Sequence, residues 1–155
     1  MSGIFEGPEA FDGEKYLIFT ILGKYYTFPS RFIGEVTVYD KAYPLPLLPE
    51  YVLGIINRYS APYALVDIGL LMQNIPTPKT KIVVLKETVD KLAFLIDDVE
   101  DIVDVPRSRL LKMEQGAETG DASGIIESSF EWQDTHVFVL GVDQIVSRIK
   151  TGAKI

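Results

Sequence analysis

The groups best equipped for chemistry are one histidine, a run of acids and a serine set among glycines. His136 is the only histidine in 155 residues, and there is no cysteine. That removes disulfides, thiolate metal sites and cysteine nucleophiles together. A lone imidazole holds a transition metal only if carboxylates supply the remaining ligands. His136 opens the Val- and Phe-rich run Thr135–Gly141, so it reads as a structural or surface residue. Gly120-Asp121-Ala122-Ser123-Gly124 places its serine one position late for the Gly-x-Ser-x-Gly nucleophile elbow. The acids Asp97, Asp98, Glu100, Asp101 and Asp104 invite a calcium reading. An EF-hand loop counted from Asp97 would need glycine where Ile102 stands and glutamate where Ser108 stands. Acids at a strand bend and on an outer face explain the run better. Paired acids such as Asp97 and Asp98 would do acid/base work only with one buried and its pKa raised. The glycines spell neither a dinucleotide fingerprint nor a P-loop. No cofactor and no metal is expected.

Charge narrows the partners. The formal net charge is −7, which opposes nucleic acid or an anionic membrane as the main partner, since both need a basic footprint. The aromatics Tyr16, Phe19, Tyr25, Tyr26, Phe28 and Phe32 could stack single-stranded bases only beside a positive groove, so they read as core. The N-terminus MSGIFEGPEAFDGEK is acidic and lacks an apolar segment, so no signal peptide is expected. No stretch approaches the roughly 20 apolar residues of a membrane span. A cytoplasmic, non-enzymatic protein fits these exclusions.

With catalysis unsupported, the informative stretch is Tyr51–Ile68, the densest apolar segment. Leu53, Ile55 and Ile56 precede the polar knot Asn57-Arg58-Tyr59-Ser60, and Tyr63, Leu65, Val66 and Ile68 follow it. Two short apolar runs around a turn signal predict a β-hairpin. Arg58 and Tyr59 at its tip have no core role, so the knot is the part suited to a partner.

The elements that must position this hairpin are short strands. Residues 1–14 read as a flexible lead-in. Tyr16–Leu22 and Tyr25–Phe28 form a hairpin through Gly23-Lys24. Pro29-Ser30 offers a helix start, with Ser30 as N-cap and Phe32, Ile33 and Val36 on one face of a short helix Arg31–Val36 weakened by Gly34. Pro44, Pro46 and Pro49 stiffen a connector into the central hairpin. Gly69–Pro78 is a second connector. It is followed by strands at Lys81–Lys86, Lys91–Asp97 and Glu100–Val105, then an irregular or helical stretch, Arg107–Met113. Glu114–Ser123 is the most loop-like interior segment. Strands Gly124–Trp132 and Thr135–Gly141 lead to a terminal helix, Asp143–Ile149, with Asp143 as N-cap. Nine or ten strands at this spacing predict an all-β barrel or sandwich. One domain over 15–150 is expected, in halves 15–78 and 79–150, with a tail at 151–155.

The order of these pieces resembles the CheW-like domain of bacterial chemotaxis coupling proteins. Gly54-Ile55-Ile56-Asn57, with Leu65-Val66-Asp67-Ile68 at the right spacing, is similar to the family's Gly-Val-Ile-Asn and Pro-Val-Val-Asp-Leu. Phe32-Ile33-Gly34-Glu35-Val36, Phe94–Val103 and Val137–Asp143 resemble further family segments, so the likeness covers roughly Lys15–Ile149. It implies two packed five-stranded SH3-like β-barrels with short helices, including a C-terminal one. It also implies an adaptor that binds the regulatory domain of a CheA-type histidine kinase and the cytoplasmic tips of methyl-accepting chemoreceptors, at inner-membrane arrays and without membrane insertion. The family's receptor contacts fall on Ile33, Glu35 and Val36 and on Asn57, Arg58 and Tyr59; its kinase contact falls near Gly54. This chain departs from the pattern at the knot, where the family's Asn-Leu-Arg-Gly is Asn57-Arg58-Tyr59-Ser60. Tyr59 occupies the arginine position and Arg58 sits one place earlier. Ala64 takes the place of a proline. A second reading therefore stays open: a divergent member of another two-component motility pathway that binds the kinase without the usual receptors. A third, from a different class, is a small carboxylate-based enzyme.

Overall fold

The computed structural model describes residues 11–113 and 124–152. Most of the expected lead-in, the expected loop-like segment Glu114–Ser123 and the last three residues lie outside that range.

Among the described residues eleven strands form two sheets. β1 (Gly13–Ile21), β2 (Lys24–Pro29), β8 (Asp98–Pro106), β9 (Leu111–Lys112), β10 (Ile126–Trp132) and β11 (Thr135–Leu140) run in the order β8-β1-β2-β11-β10-β9. β3 (Ile33–Val38), β4 (Val52–Arg58), β5 (Ala61–Val66), β6 (Lys81–Leu85) and β7 (Leu92–Ile96) run in the order β3-β6-β7-β5-β4. Most neighbours are antiparallel; β2–β11 and β5–β7 are parallel. The all-β class is as expected; in place of the two five-stranded barrels that the resemblance implies stand two sheets, of six and five strands, in which no backbone ladder closes a barrel among the described residues. The sheets do not divide the sequence at the Ile75–Pro78 connector, however. The first sheet takes both ends of the chain and the second takes its middle, because the chain crosses between sheets after Pro29 and again at Asp97. At the second crossing Asp97 joins the β1–β2 turn, its N–H donating to the Thr20 carbonyl at 2.7 Å and its carboxylate accepting from Gly23 N at 3.2 Å.

Three apolar clusters explain why β1, β6 and β7 are buried on both faces. One, with Phe19, Phe28, Leu85 and Phe94, lies between the sheets. A second, with Ile56, Tyr63, Leu65, Ile82 and Leu95, draws only on the five-stranded sheet, and a third, with Tyr16, Ile18, Phe130 and Val137, only on the six-stranded one. A sheet whose own side chains form a dry cluster on its far face must curl over them.

Four local expectations need correction. The segment from Arg31 to Val36 is not a helix. A single 3-10 turn, Ser30–Phe32, leads into β3, and burial alternates along Ile33–Val38 as a strand requires. β-Branched Ile33, Val36, Thr37 and Val38 favour the strand, and Gly34 sits at a bulge, where the register slips between Ile33 and Glu35. The Gly69–Pro78 connector holds helix α1 (Ile68–Gln73), capped by Asp67 at its start and by left-handed Asn74 at its end. The final helix α2 runs Val142–Gly152, one residue earlier than expected, so Asp143 lies in its first turn and it extends into the expected tail. β1 begins at Gly13, inside the expected lead-in.

Candidate functional site

The second sheet ends in two unlike edges, β3 and β4. In the flat strand order they stand at opposite extremes, yet the side chain of Arg58, at the end of β4, forms an ion pair and hydrogen bond with Glu35 on β3. The curl has brought the edges together, and side chains rather than a backbone ladder bridge them.

The register explains which residues meet. Side chains of directly paired residues share a face. Ile33 pairs with Leu85, a member of the inter-sheet core, and itself packs there. After the bulge, Glu35 pairs with Val84, a member of the second sheet's own cluster. Ile33 and Glu35, two residues apart, thus face opposite ways, and Val36 shares the Ile33 side. On β4, Arg58 follows Ile56 at a spacing of two and so ends the inward-facing row, while Asn57 points out and is exposed. Arg58 Nε is buried with no hydrogen-bond partner.

Tyr59 completes the seam. With Ser60 it forms a two-residue turn in which both have positive φ, 53° and 61°. Such turns match the twist of the strands and normally use Asn or Gly. The Tyr59 ring meets buried Tyr63 edge-on at 5.8 Å. The Tyr59 hydroxyl lies over Gly34; a Cβ there would sit 2.6 Å from it. Tyr63 in turn donates to the Leu85 carbonyl at 3.2 Å. Gly34 and Tyr63 escaped sequence reasoning. The signals were a glycine inside a β-branched run, which marks bulges, and the Ala61, Tyr63, Leu65 alternation.

The structure therefore brings Glu35, Arg58 and Tyr59 into one cluster and leaves Asn57 and Val36 exposed nearby in sequence. Ile33 is half-buried in the core. Gly54 is buried at a bulge of β4 with φ 144°, under the backbone of Tyr43 and Pro44. Its position is one of chain packing, not of surface.

Two acids of the expected outer face have lysine partners. Lys15 holds Asp104 at 2.9 Å and Lys81 holds Asp98 at 2.6 Å. The hydrogen bond from Lys81 keeps the Asp98 carboxyl below the usual range, the opposite of what general-acid work requires. No group of acids and histidine suited to a metal ion occurs among the described residues. His136 is exposed, stacks on Phe138 at 6.4 Å, and lines a shallow cleft with Lys24, Tyr26 and Met72.

Four phenols respond to this packing. Burial first raises Tyr16, Tyr51, Tyr59 and Tyr63 above their ordinary value of 10.0; nearby carboxylates add to it for all but Tyr51. The folded state holds these protons more tightly than the unfolded chain. Their contribution to stability is complete below the unfolded pKa and is lost as pH rises through the folded values. The urea midpoint is expected to start falling near pH 10, in step with phenolate absorbance appearing in the unfolded fraction before the folded one. A folded-state titration at the ordinary value would contradict it.

Two sheets, each with an apolar cluster of its own besides the core between them, and a polar seam at a hairpin tip define an all-β domain. The chain belongs to the CheW-like domain family, whose model matches residues 15–150. It is 22% identical over 110 residues to the chemotaxis protein CheW of Bacillus subtilis (strain 168), covering 68% of this chain and 70% of that one. The crystal structure of the scaffolding protein TtCheW from Thermoanaerobacter tengcongensis matches with a TM-score of 0.73 at 16% identity, over 84% of this chain and 85% of that one. Among the described residues no helix is long and apolar enough to cross a membrane.

Proposed function

We propose that this chain is a non-catalytic chemotaxis coupling adaptor. It links the regulatory domain of a CheA-type histidine kinase to the cytoplasmic tips of chemoreceptors, and works in the cytoplasm at receptor arrays. The observation that carries the reading is the seam: Glu35 and Arg58, far apart in sequence and on opposite sheet edges, are held together beside an exposed hairpin tip within a CheW-like domain. Recognition surfaces concentrate on such rigidly held tips. In this reading Ile33 acts from beneath by packing β3; Glu35, Val36, Asn57, Arg58 and Tyr59 meet the receptor. Gly54 serves kinase binding by shaping β4.

The test is retention by an immobilised kinase regulatory domain and, separately, by a soluble receptor-tip fragment. Wild type is expected to bind both at tens of micromolar or tighter. Arg58→Glu sets two carboxylates against each other at the seam and should weaken receptor retention at least tenfold while leaving kinase retention within twofold. Kinase retention without receptor retention by the wild type would favour the divergent-pathway reading, motivated by Tyr59 at the family's arginine position. Retention by neither would sink the adaptor reading.

A further inference from the structure

We propose that the exposed strip Tyr43–Leu47 docks the kinase regulatory domain, with the Leu47 side chain entering an apolar pocket there and Lys41 meeting a carboxylate at its rim. This rests on the kinase-coupling reading above and gives it a contact surface.

Leu47 strains the backbone without packing in the core. Its φ is 68°, in the left-handed region, and its side chain is 54% exposed. Pro46 followed by a residue of positive φ is the pattern of a type II turn, whose third position normally takes glycine or asparagine. A leucine there is disfavoured, because its Cβ crowds the following carbonyl oxygen. Leu47 belongs to none of the three apolar clusters, so no packing offsets that cost. Strain of this kind gathers at sites where a protein meets its ligands.

Leu47 ends a continuous apolar strip. Tyr43 and Leu45, two residues apart along the same run, are 60% and 51% exposed, and Pro44 and Pro46 between and after them are exposed as well. The strip is anchored at both ends. The two backbone hydrogen bonds between Tyr43 and Ile55 clamp its start, and beyond its end buried Pro49 accepts from Val52 N at 3.0 Å. The prolines fix φ in between. A surface ordered in advance loses little conformational freedom on binding.

Two features identify the occupant. Gly54, the position tied above to kinase binding, is buried, and the backbone of Tyr43 and Pro44 covers it. A partner that approaches this part of β4 therefore touches the strip and not the glycine. The second feature is charge. Lys41 lies over the Tyr43 ring at 5.1 Å and has no carboxylate partner among the described residues. A free cation at the end of an apolar strip is complementary to an acid beside a partner's pocket. The chain's net charge of −7 opposes a second copy as that partner.

The experiment uses the full chain with Leu47→Gly and Leu47→Asn, which both suit a left-handed φ and remove the apolar side chain. Their urea midpoints should match or exceed that of the wild type, since the strain is relieved. Their affinity for the kinase regulatory domain should fall on the order of tenfold, the loss expected when a leucine no longer fills a pocket. Retention by the receptor-tip fragment should stay within about twofold, because the seam lies elsewhere. Leu47→Met, of similar volume, should keep kinase affinity within about threefold. Lys41→Gln should flatten the salt dependence of kinase binding. Midpoints well below that of the wild type would give Leu47 a role in the fold and overturn the proposal. Loss of the receptor tip in place of the kinase domain overturns it too. So does wild-type self-association in sedimentation that Leu47→Gly abolishes with kinase affinity unchanged, which assigns the strip to a second copy. A wild type that fails to bind the kinase domain removes the coupling reading and this surface together; a wild type that binds while the folded Leu47 variants are indistinguishable removes this surface alone.

Discussion

Replacing Asp67 by alanine should lower stability by about 3 kcal/mol, one of the two largest single-site losses expected outside the apolar core. Asp67 is 1% exposed. It accepts from Leu70 N at 3.1 Å, which caps α1, and from Thr77 N and Thr77 Oγ1 at 2.9 and 2.6 Å. One carboxylate thus starts the helix and anchors the chain that returns from it. Removing it strands a helix N–H and a buried threonine, and each buried donor left unmet costs about 1–3 kcal/mol. The losses overlap because they share one side chain, hence the intermediate figure. Asp67→Asn retains an acceptor for either the cap or Thr77 and should cost about half as much. Urea unfolding of the three proteins decides it. Equal midpoints for wild type and Asp67→Ala would mean that water replaces the carboxylate and that the network is dispensable.

Gly54→Ala should cost roughly 2–4 kcal/mol, from a positive φ that disfavours any side chain and from overlap with the backbone. A methyl group there would lie 2.4 Å from the Tyr43 carbonyl oxygen. Relief is blocked, because Tyr43 and Ile55 clamp each other through two backbone hydrogen bonds of 2.9 and 2.8 Å. The same variant separates two roles for Gly54. If it acts through chain packing, kinase affinity should fall only as the folded fraction falls, and recover when cooling or osmolyte restores the fold. If it is a contact residue, affinity should stay low in fully folded protein. Circular dichroism and kinase pull-down on the same samples distinguish the two.

The family likeness and the seam were legible to different degrees. The Gly54–Asn57 and Leu65–Ile68 runs marked the central hairpin, and the hairpin lies where its apolar residues placed it, with the knot at the tip. Phe32, Ile33 and Val36 misled because spacings of three and four suit a helix, while a bulge at Gly34 produces the same grouping in a strand. α1 was missed because six residues between proline-rich ends carry almost no periodic signal. Its one clear sign was Asp67 before an apolar run, the mark of an N-cap. The sequential halves were a natural reading of two proline-rich connectors. A proline marks where a ladder cannot continue, not which sheet the next strand joins.

What the sequence alone determined is local: strand-forming runs, the hairpin turns, the absence of thiol chemistry and the acidic balance. These depend on residue type and on neighbours a few positions away. The tertiary structure decided the rest. Arg58 and Glu35 stand 23 residues apart, and they meet because a five-stranded sheet curls over its own side chains until side chains of its two edge strands come into contact. Neither residue's neighbours encode that curl; it follows from burying apolar groups on both faces of β6 and β7. Tyr59 reads in sequence as a hairpin-tip residue standing at the family's arginine position. Only the tertiary structure shows its ring edge-on against buried Tyr63 and its hydroxyl over Gly34.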